Sequence, residues 1–248
     1  MDPIVLYDIP SNTGSSMSPA CWKVRYLLNY KGIAFRTEWT EYPDIAALYE
    51  RHGIRHTSTN PDGTPKYTIP VLHDPSSGLF ISDSFNIAKY LEQTYGSPSP
   101  SIFPSGTVAL QSAFADMVMS NILLPNFQIM VLIIAKGLND RSLDFFRQSR
   151  EKMINKSLEE IAPTPEMAAT HWNRLKESLA KFDAYYAHSQ QNGPFIMGSY
   201  LSWADLSIAG FLTTFRLALG EDSRQWQDVI GWHEGRWGKL MTALEEYQ

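Results

Sequence analysis

The sequence predicts two units of different class: an α/β unit of order β-α-β-α-β-β-α over residues 1–96 and an all-α unit over 108–248. Two observations carry this. Strand-like and helix-like apolar patterns alternate as far as Tyr95, and only helical patterns follow. Between them lies a stretch rich in chain breakers, Gly96-Ser97-Pro98-Ser99-Pro100-Ser101 and Pro104-Ser105-Gly106, read as a linker over 97–107. Apolar residues make up 44% and charged residues 19%, enough to bury a core and too apolar for a disordered chain.

The elements follow in order. Ile4-Val5-Leu6-Tyr7 is a short β run stopped by Pro10, Asn12 and Gly14. A helix is expected from Pro19 to Tyr30, with Cys21, Val24, Leu27 and Leu28 inward and Gly32 ending it. Phe35 to Trp39 alternates like a half-buried strand. Pro43 to His52 reads as a short helix closed by Gly53, and Thr57 to Lys66 as a polar loop. Tyr67 to His73 and Leu79 to Ile81 flank a turn and predict a hairpin. Ser84 to Tyr95 is helical, with Ile87, Ala88 and Leu91 inward. Further helices are expected over Val108–Ala135, Leu143–Ile161, Glu166–Ser189, Ser202–Leu219 and His233–Tyr247, the first kinked or split by Pro125.

Several function classes are disfavoured. A net charge of −5 argues against a general nucleic-acid binder. The single cysteine, Cys21, allows no internal disulfide, and six scattered histidines lack metal-ligand spacing, so no metal is expected. The longest apolar stretch, Ile129 to Ala135, falls short of the roughly 20 residues a membrane helix needs. The start of the chain lacks the order of a signal peptide, so Asn155-Lys156-Ser157 is read as a chance sequon and the cytosol as the setting.

Four places carry chemistry. Ser15-Ser16-Met17-Ser18 precedes a helix whose first turn holds Pro19. Free N–H groups and the helix dipole stabilise an anion there, and a hydroxyl there can keep a thiolate ionised. A plain helix cap is the structural reading of the same serine. Ile69-Pro70 sets a proline inside a strand pattern, where a cis bond would turn the preceding N–H and C=O outward for a peptide-like ligand; an ordinary edge-strand proline is the alternative. Asp83-Ser84 opens a helix and suits a zwitterionic amino-acid end, or simply a cap. Ser202-Trp203-Ala204-Asp205 is a capping box, with Leu201 and Leu206 as its apolar staple, and is read as structural.

Together and in this order, Ser18, Thr68-Ile69-Pro70-Val71, Asp83-Ser84 and Ser202 to Asp205 resemble the glutathione transferase superfamily over nearly the whole chain. Within it, Tyr7-Asp8-Ile9-Pro10-Ser11, Ser18-Pro19 with Trp22-Lys23, Leu28-Asn29-Tyr30-Lys31-Gly32 and Thr37-Glu38-Trp39 look most like the fungal-specific transferases related to bacterial lignin β-etherases. The resemblance implies a thioredoxin-like first domain with a cis-proline and a helical second domain. It implies glutathione as co-substrate, held by Ile69, Asp83 and Ser84, and small hydrophobic aromatic ligands, either conjugated or cleaved or, as in a ligandin, merely bound. A homodimer is implied as well.

Ser18 is expected at the sulfur, with Ser16, Ser15 and Asn12 on the same loop as alternatives. Lys66 is the candidate for the glycine carboxylate, against Arg51, Arg55 and His56. Met17, Trp39, Asn121, Leu124 and Phe127 are expected to line an apolar pocket. Cys21, on the apolar face of its helix, is expected to be a buried inert thiol.

Overall fold

The computed structural model describes residues 2–60, 62–95, 99–161, 164–189 and 193–248; positions 97 and 98 of the expected linker lie outside them. A central sheet is built from β1 (Ile4–Asp8), β2 (Phe35–Trp39), β5 (Val71–Asp74) and β6 (Leu79–Ser82) in the order β2-β1-β5-β6. β1 runs parallel to β2 and antiparallel to β5, in the register Leu6 opposite Thr37 and Leu72. β5 and β6 form the expected hairpin. β1 is central and has helices to cover it, so Ile4, Val5 and Leu6 are all buried, as a doubly covered strand requires.

The helices α1 (Pro19–Tyr30), α2 (Ile45–His52) and α3 (Ser84–Thr94) complete the first unit. A short 3-10 turn over Tyr42–Asp44 leads into α2, and Gly53 at φ 60° closes it in the left-handed region. The segment 57–66 corrects the expectation of a plain loop. Within it β3 (Ser58–Thr59) and β4 (Pro65–Lys66) pair as a two-stranded ribbon. Strands of two residues are too short for alternation to show.

The described residues of the second unit are mainly helical: α4 (Val108–Val118), α5 (Phe127–Gly137), α6 (Asp140–Ile154), α7 (Leu158–Ile161), α8 (Pro165–Ala187), α9 (Trp203–Leu219) and α10 (Arg224–Ala243). The break expected at Pro125 is present. A π-turn over Met119–Leu123 ends the first part, and α5 leaves at 87° to it. The last helix begins at Arg224, earlier than the apolar pattern suggests, and is interrupted at His233–Gly235, where three successive residues have positive φ. Among the described residues no single helix is long and apolar enough to cross a membrane.

α9 is the axle of the molecule. Residues 203 to 215 are all buried, so its apolar pattern runs all round. One core joins Leu6 and Leu27 of the first unit to Trp203, Phe211 and Trp237 of the second. α1 lies so close against α9 that a Cβ on Gly210 would sit 2.4 Å from the Pro19 carbonyl. Glycine is required there by proximity. The N-terminus of α1 is thus fixed from below by the second unit.

Candidate functional site

The turn between β1 and α1 is organised around Asp8, which is fully buried. Its Oδ1 accepts from the Ile9 amide (2.7 Å) and the Ser16 hydroxyl (2.8 Å). Its Oδ2 accepts from Arg25 Nε at 2.8 Å, and Arg25 also donates to Thr37 Oγ1 at 2.8 Å. Ser16 Oγ in turn accepts from the Ser18 amide at 3.1 Å, while the Ser16 carbonyl takes the Trp22 indole N–H at 2.8 Å. Ser16 is 1% exposed and engaged on every side. Its hydroxyl bonds Asp8 and the Ser18 amide and so holds the loop.

Ser18 differs. It caps α1, its Oγ accepting from the Cys21 amide at 3.3 Å, and it is half-buried. Its hydroxyl also stands against the Cys21 thiol, a contact that favours the thiolate. Cys21 is fully buried; desolvation first, then the charge of Asp8, pushes its thiol well above the usual range. An inert thiol follows.

The same loop is tied to the far unit. Ser11 forms a bridge with Leu138, the Asn12 amide donates to the Gly137 carbonyl at 2.9 Å, and Asn12 Nδ2 donates to the Lys136 carbonyl at 2.8 Å. These bonds satisfy carbonyls at the C-terminal end of α5, which its own ladder leaves open. They also occupy the Asn12 amide group. The Ser15 hydroxyl has no hydrogen-bond partner among the described residues.

A second group of free polar atoms lies where β5 meets α3. The Ile69–Pro70 bond is cis, and the amide and carbonyl of Ile69 have no partner among the described residues. Asp83 has φ 74° and caps α3, its Oδ1 accepting from the Phe85 and Asn86 amides at 3.0 Å each. Among the described residues Oδ2 has no hydrogen-bond partner. Ser84 is buried at the first helical position, and its hydroxyl is likewise without a partner among the described residues. Lys66 is exposed on β4, and Arg51, Arg55 and His56 are exposed on the segment before it.

An apolar cavity of about 510 Å³ opens between α5, α8 and α10. Ile129, Leu132 and Ile133 form one wall, Trp172 and Leu219 others, and Lys136 and Arg224 stand among its polar lining. The four α5 positions recur at i, i+3, i+4 and i+7, one helical face, whereas Met130 and Val131 on the other side are buried in the core. The cavity therefore shares Lys136 with the anchorage of the serine loop.

The expected pocket liners divide. Met17 is 2% exposed and packs on Gly137 in the seam between the units. Trp39 is 44% exposed at the end of β2, under the Arg25 guanidinium at 5.4 Å. Asn121 is turned back on the Met117 carbonyl at 3.0 Å. Leu124 and Phe127 do line a cavity, but a different one, on the α8 flank near the N-terminus of α5. The wall residues of the 510 Å³ cavity were legible only as a run of core-like apolar residues. Splitting that run by helical face would have found them.

Residues 17–94 match the glutathione S-transferase N-terminal domain, and residues 109–247 match the glutathione S-transferase C-terminal domain. The chain belongs to the glutathione S-transferase family. The enzyme is a glutathione transferase on a thioredoxin-like domain followed by a helical one, with glutathione as its co-substrate. It is 39% identical to glutathione transferase GSTFuA3 of Phanerochaete chrysosporium, covering 100% of this chain and 98% of that one with a TM-score of 0.92. A glutathione S-transferase of Ceriporiopsis subvermispora, solved in complex with glutathione, is 38% identical over 100% of this chain and 98% of that one, with a TM-score of 0.94. A glutathione S-transferase-like protein of Aspergillus flavus, ustS, is 29% identical over 99% of this chain and 91% of its own length. Among the described residues no group of three or more His, Cys, Asp or Glu could hold a metal ion.

Proposed function

We propose that this transferase activates glutathione through Ser18 and conjugates it to, or uses it to cleave, small hydrophobic aromatic electrophiles. In this reading glutathione lies extended beside Ile69-Pro70, pairing with the free amide and carbonyl of Ile69 as a strand would. The γ-glutamyl end meets the N-terminus of α3, its ammonium at Asp83 Oδ2 and its carboxylate at the Ser84 hydroxyl and helix dipole. Lys66 takes the glycine carboxylate. The sulfur then reaches the start of α1, where Ser18 donates to it and the helix terminus favours its negative form.

The thiolate attacks an electrophile held in the cavity walled by Ile129, Leu132, Ile133 and Trp172. The observation that carries this reading is a half-buried hydroxyl at a helix N-terminus, on a loop tied to the end of the cavity's own helix. We take the active form to be a cytosolic homodimer, as the family pattern suggests, and sedimentation of the purified protein tests the assembly.

The deciding experiment measures turnover of an aryl halide and an isothiocyanate by wild type and Ser18→Ala. Loss of one donor to the developing thiolate should lower kcat/KM about 10- to 100-fold and raise the thiol pKa of bound glutathione. Unchanged turnover and thiol pKa would remove Ser18 from the mechanism and point to Ser15. Tight binding of aromatics without conjugation of any of them would favour the ligandin reading instead.

A further inference from the structure

The break in α10 needs something to hold it. Trp232 leaves the helical path at ψ 151°, and His233, Glu234 and Gly235 follow at φ 54°, 57° and 75°. Only the last is a glycine, so two L side chains are kept in a region they rarely enter. One side-chain bond ties the break down: the Trp237 indole N–H donates to His233 Nδ1 at 2.8 Å. An indole nitrogen can only donate, so Nδ1 must offer a lone pair and the ring carries its proton on Nε2. Trp237 is wholly buried, and its N–H has no other acceptor among the described residues.

The break also touches the acceptor cavity. Trp172, one of the cavity walls, lies against Trp232 with ring centroids 5.3 Å apart and against Phe215 at 6.3 Å. Arg224, Gln225 and Asp228 reach the same cavity from the part of α10 before the break. Trp237, after the break, belongs to the core that joins the two units. The bond from Trp237 to His233 thus ties the break, and with it the cavity side of α10, to a fixed anchor.

We infer that His233 is a positioning residue for the acceptor cavity and a pH-sensitive latch: its neutral ring holds the break that seats Trp232 against Trp172, and a proton on Nδ1 releases it. This rests on the reading of the 510 Å³ cavity as the acceptor site. An imidazolium carries N–H groups at both nitrogens, so protonation sets donor against donor and leaves the buried indole unmatched. The charged groups facing His233 are Asp183 and Lys176 of α8 and Arg236 of its own helix, and Asp183 is already paired with Arg236. Burial first, then Lys176 and Arg236, hold the imidazole pKa below the usual 6.5 against the opposing charge of Asp183. The latch is therefore shut at neutral pH. Its contribution is full above pH 6.5 and is lost as pH falls through the lowered value.

The test is the KM for chlorodinitrobenzene, an uncharged acceptor, measured with saturating glutathione between about pH 7.5 and 5. Protonation of the glutathione thiolate lowers kcat over this range, whereas opening of the latch should raise the acceptor KM about fivefold, the shift expected for one lost neutral hydrogen bond. His233→Asn keeps an acceptor oxygen near the place of Nδ1, tolerates the left-handed backbone and does not titrate. It should hold the low KM at every pH, and His233→Phe should show the raised KM at every pH. Near-UV circular dichroism of the Trp172–Trp232 pair needs no turnover: its band should fade on acidification in wild type and persist in His233→Asn. A flat acceptor KM or an unchanging band in wild type, or a His233→Asn that titrates as wild type does, would each overturn the latch. Absence of turnover with any acceptor would overturn the proposed function instead, and the dichroism would then decide the latch.

Discussion

Asp83 and Asp205 both stand at the N-terminus of a helix beside a serine, yet one is closed and the other open. Asp205 is fully buried. Its two oxygens accept from the Tyr186 hydroxyl (2.7 Å), the Ile196 amide (2.8 Å), and the Ser202 amide and hydroxyl (2.9 and 2.7 Å). Asp83 places both of its bonds on one oxygen, is half-buried, and holds a positive φ that an aspartate adopts only under local constraint. The saturated carboxylate builds the fold; the unsaturated one is available to a ligand. Ser16 and Ser18 repeat the contrast within a single loop.

The harshest way to break that comparison is Asp205→Ala. Four buried donors lose their acceptor together, and the cost should be about 3–5 kcal/mol in denaturant melts. A small loss of stability with a large loss of glutathione affinity would reverse the assignment. Gly210→Ala comes next. A methyl group 2.4 Å from the Pro19 carbonyl forces α1 from α9, and overpacking of this kind costs about 1–3 kcal/mol.

Asp83→Asn should do the opposite of the Asp205 change. Its amide oxygen can still cap α3, so melting should shift by about 1 kcal/mol or less, while KM for glutathione rises about tenfold.

A gentler probe is pH. Burial lifts the Asp205 carboxyl from 3.8 to about 6, outweighing its four donors. A carboxyl raised by folding holds its proton more tightly in the native state. Its contribution is therefore full below pH 3.8 and lost as pH climbs through about 6. Asp74 has the reverse sign. Burial pushes it up, but hydrogen bonds from Tyr90, Tyr95 and Ser76 prevail and hold it at about 2. Its contribution is present above pH 3.8 and fades as pH falls through about 2. Stability profiles of Asp205→Asn and Asp74→Asn should thus lose slope in separate windows.

The smallest effect belongs to Cys21. Alkylating reagents should leave the native protein unmodified, and Cys21→Ala should keep turnover within about twofold.

What the sequence disclosed is what rests on local chemistry. The proline after Ile69, the caps at Ser18 and Asp83, and the box from Ser202 to Asp205 each announce themselves within a few residues. What stayed hidden depends on distant packing. Nothing near Ser16 says that its hydroxyl belongs to Asp8, because the bond arises only when the loop folds back over β1. Ile129 and Met130 are adjacent and equally apolar, and only the placement of α8 makes one a cavity wall and the other core. The β3–β4 ribbon was missed because its strands are shorter than any period.

The position of α5 has a practical side. A single helix walls two cavities and, by its last carbonyls, tethers the loop that leads to Ser18. Alterations made on it to widen the range of acceptors will also move that loop. Residues on the opposing banks, Trp172 of α8 and Gln225 of α10, face the same space without that tether, and engineering of acceptor preference should begin with them.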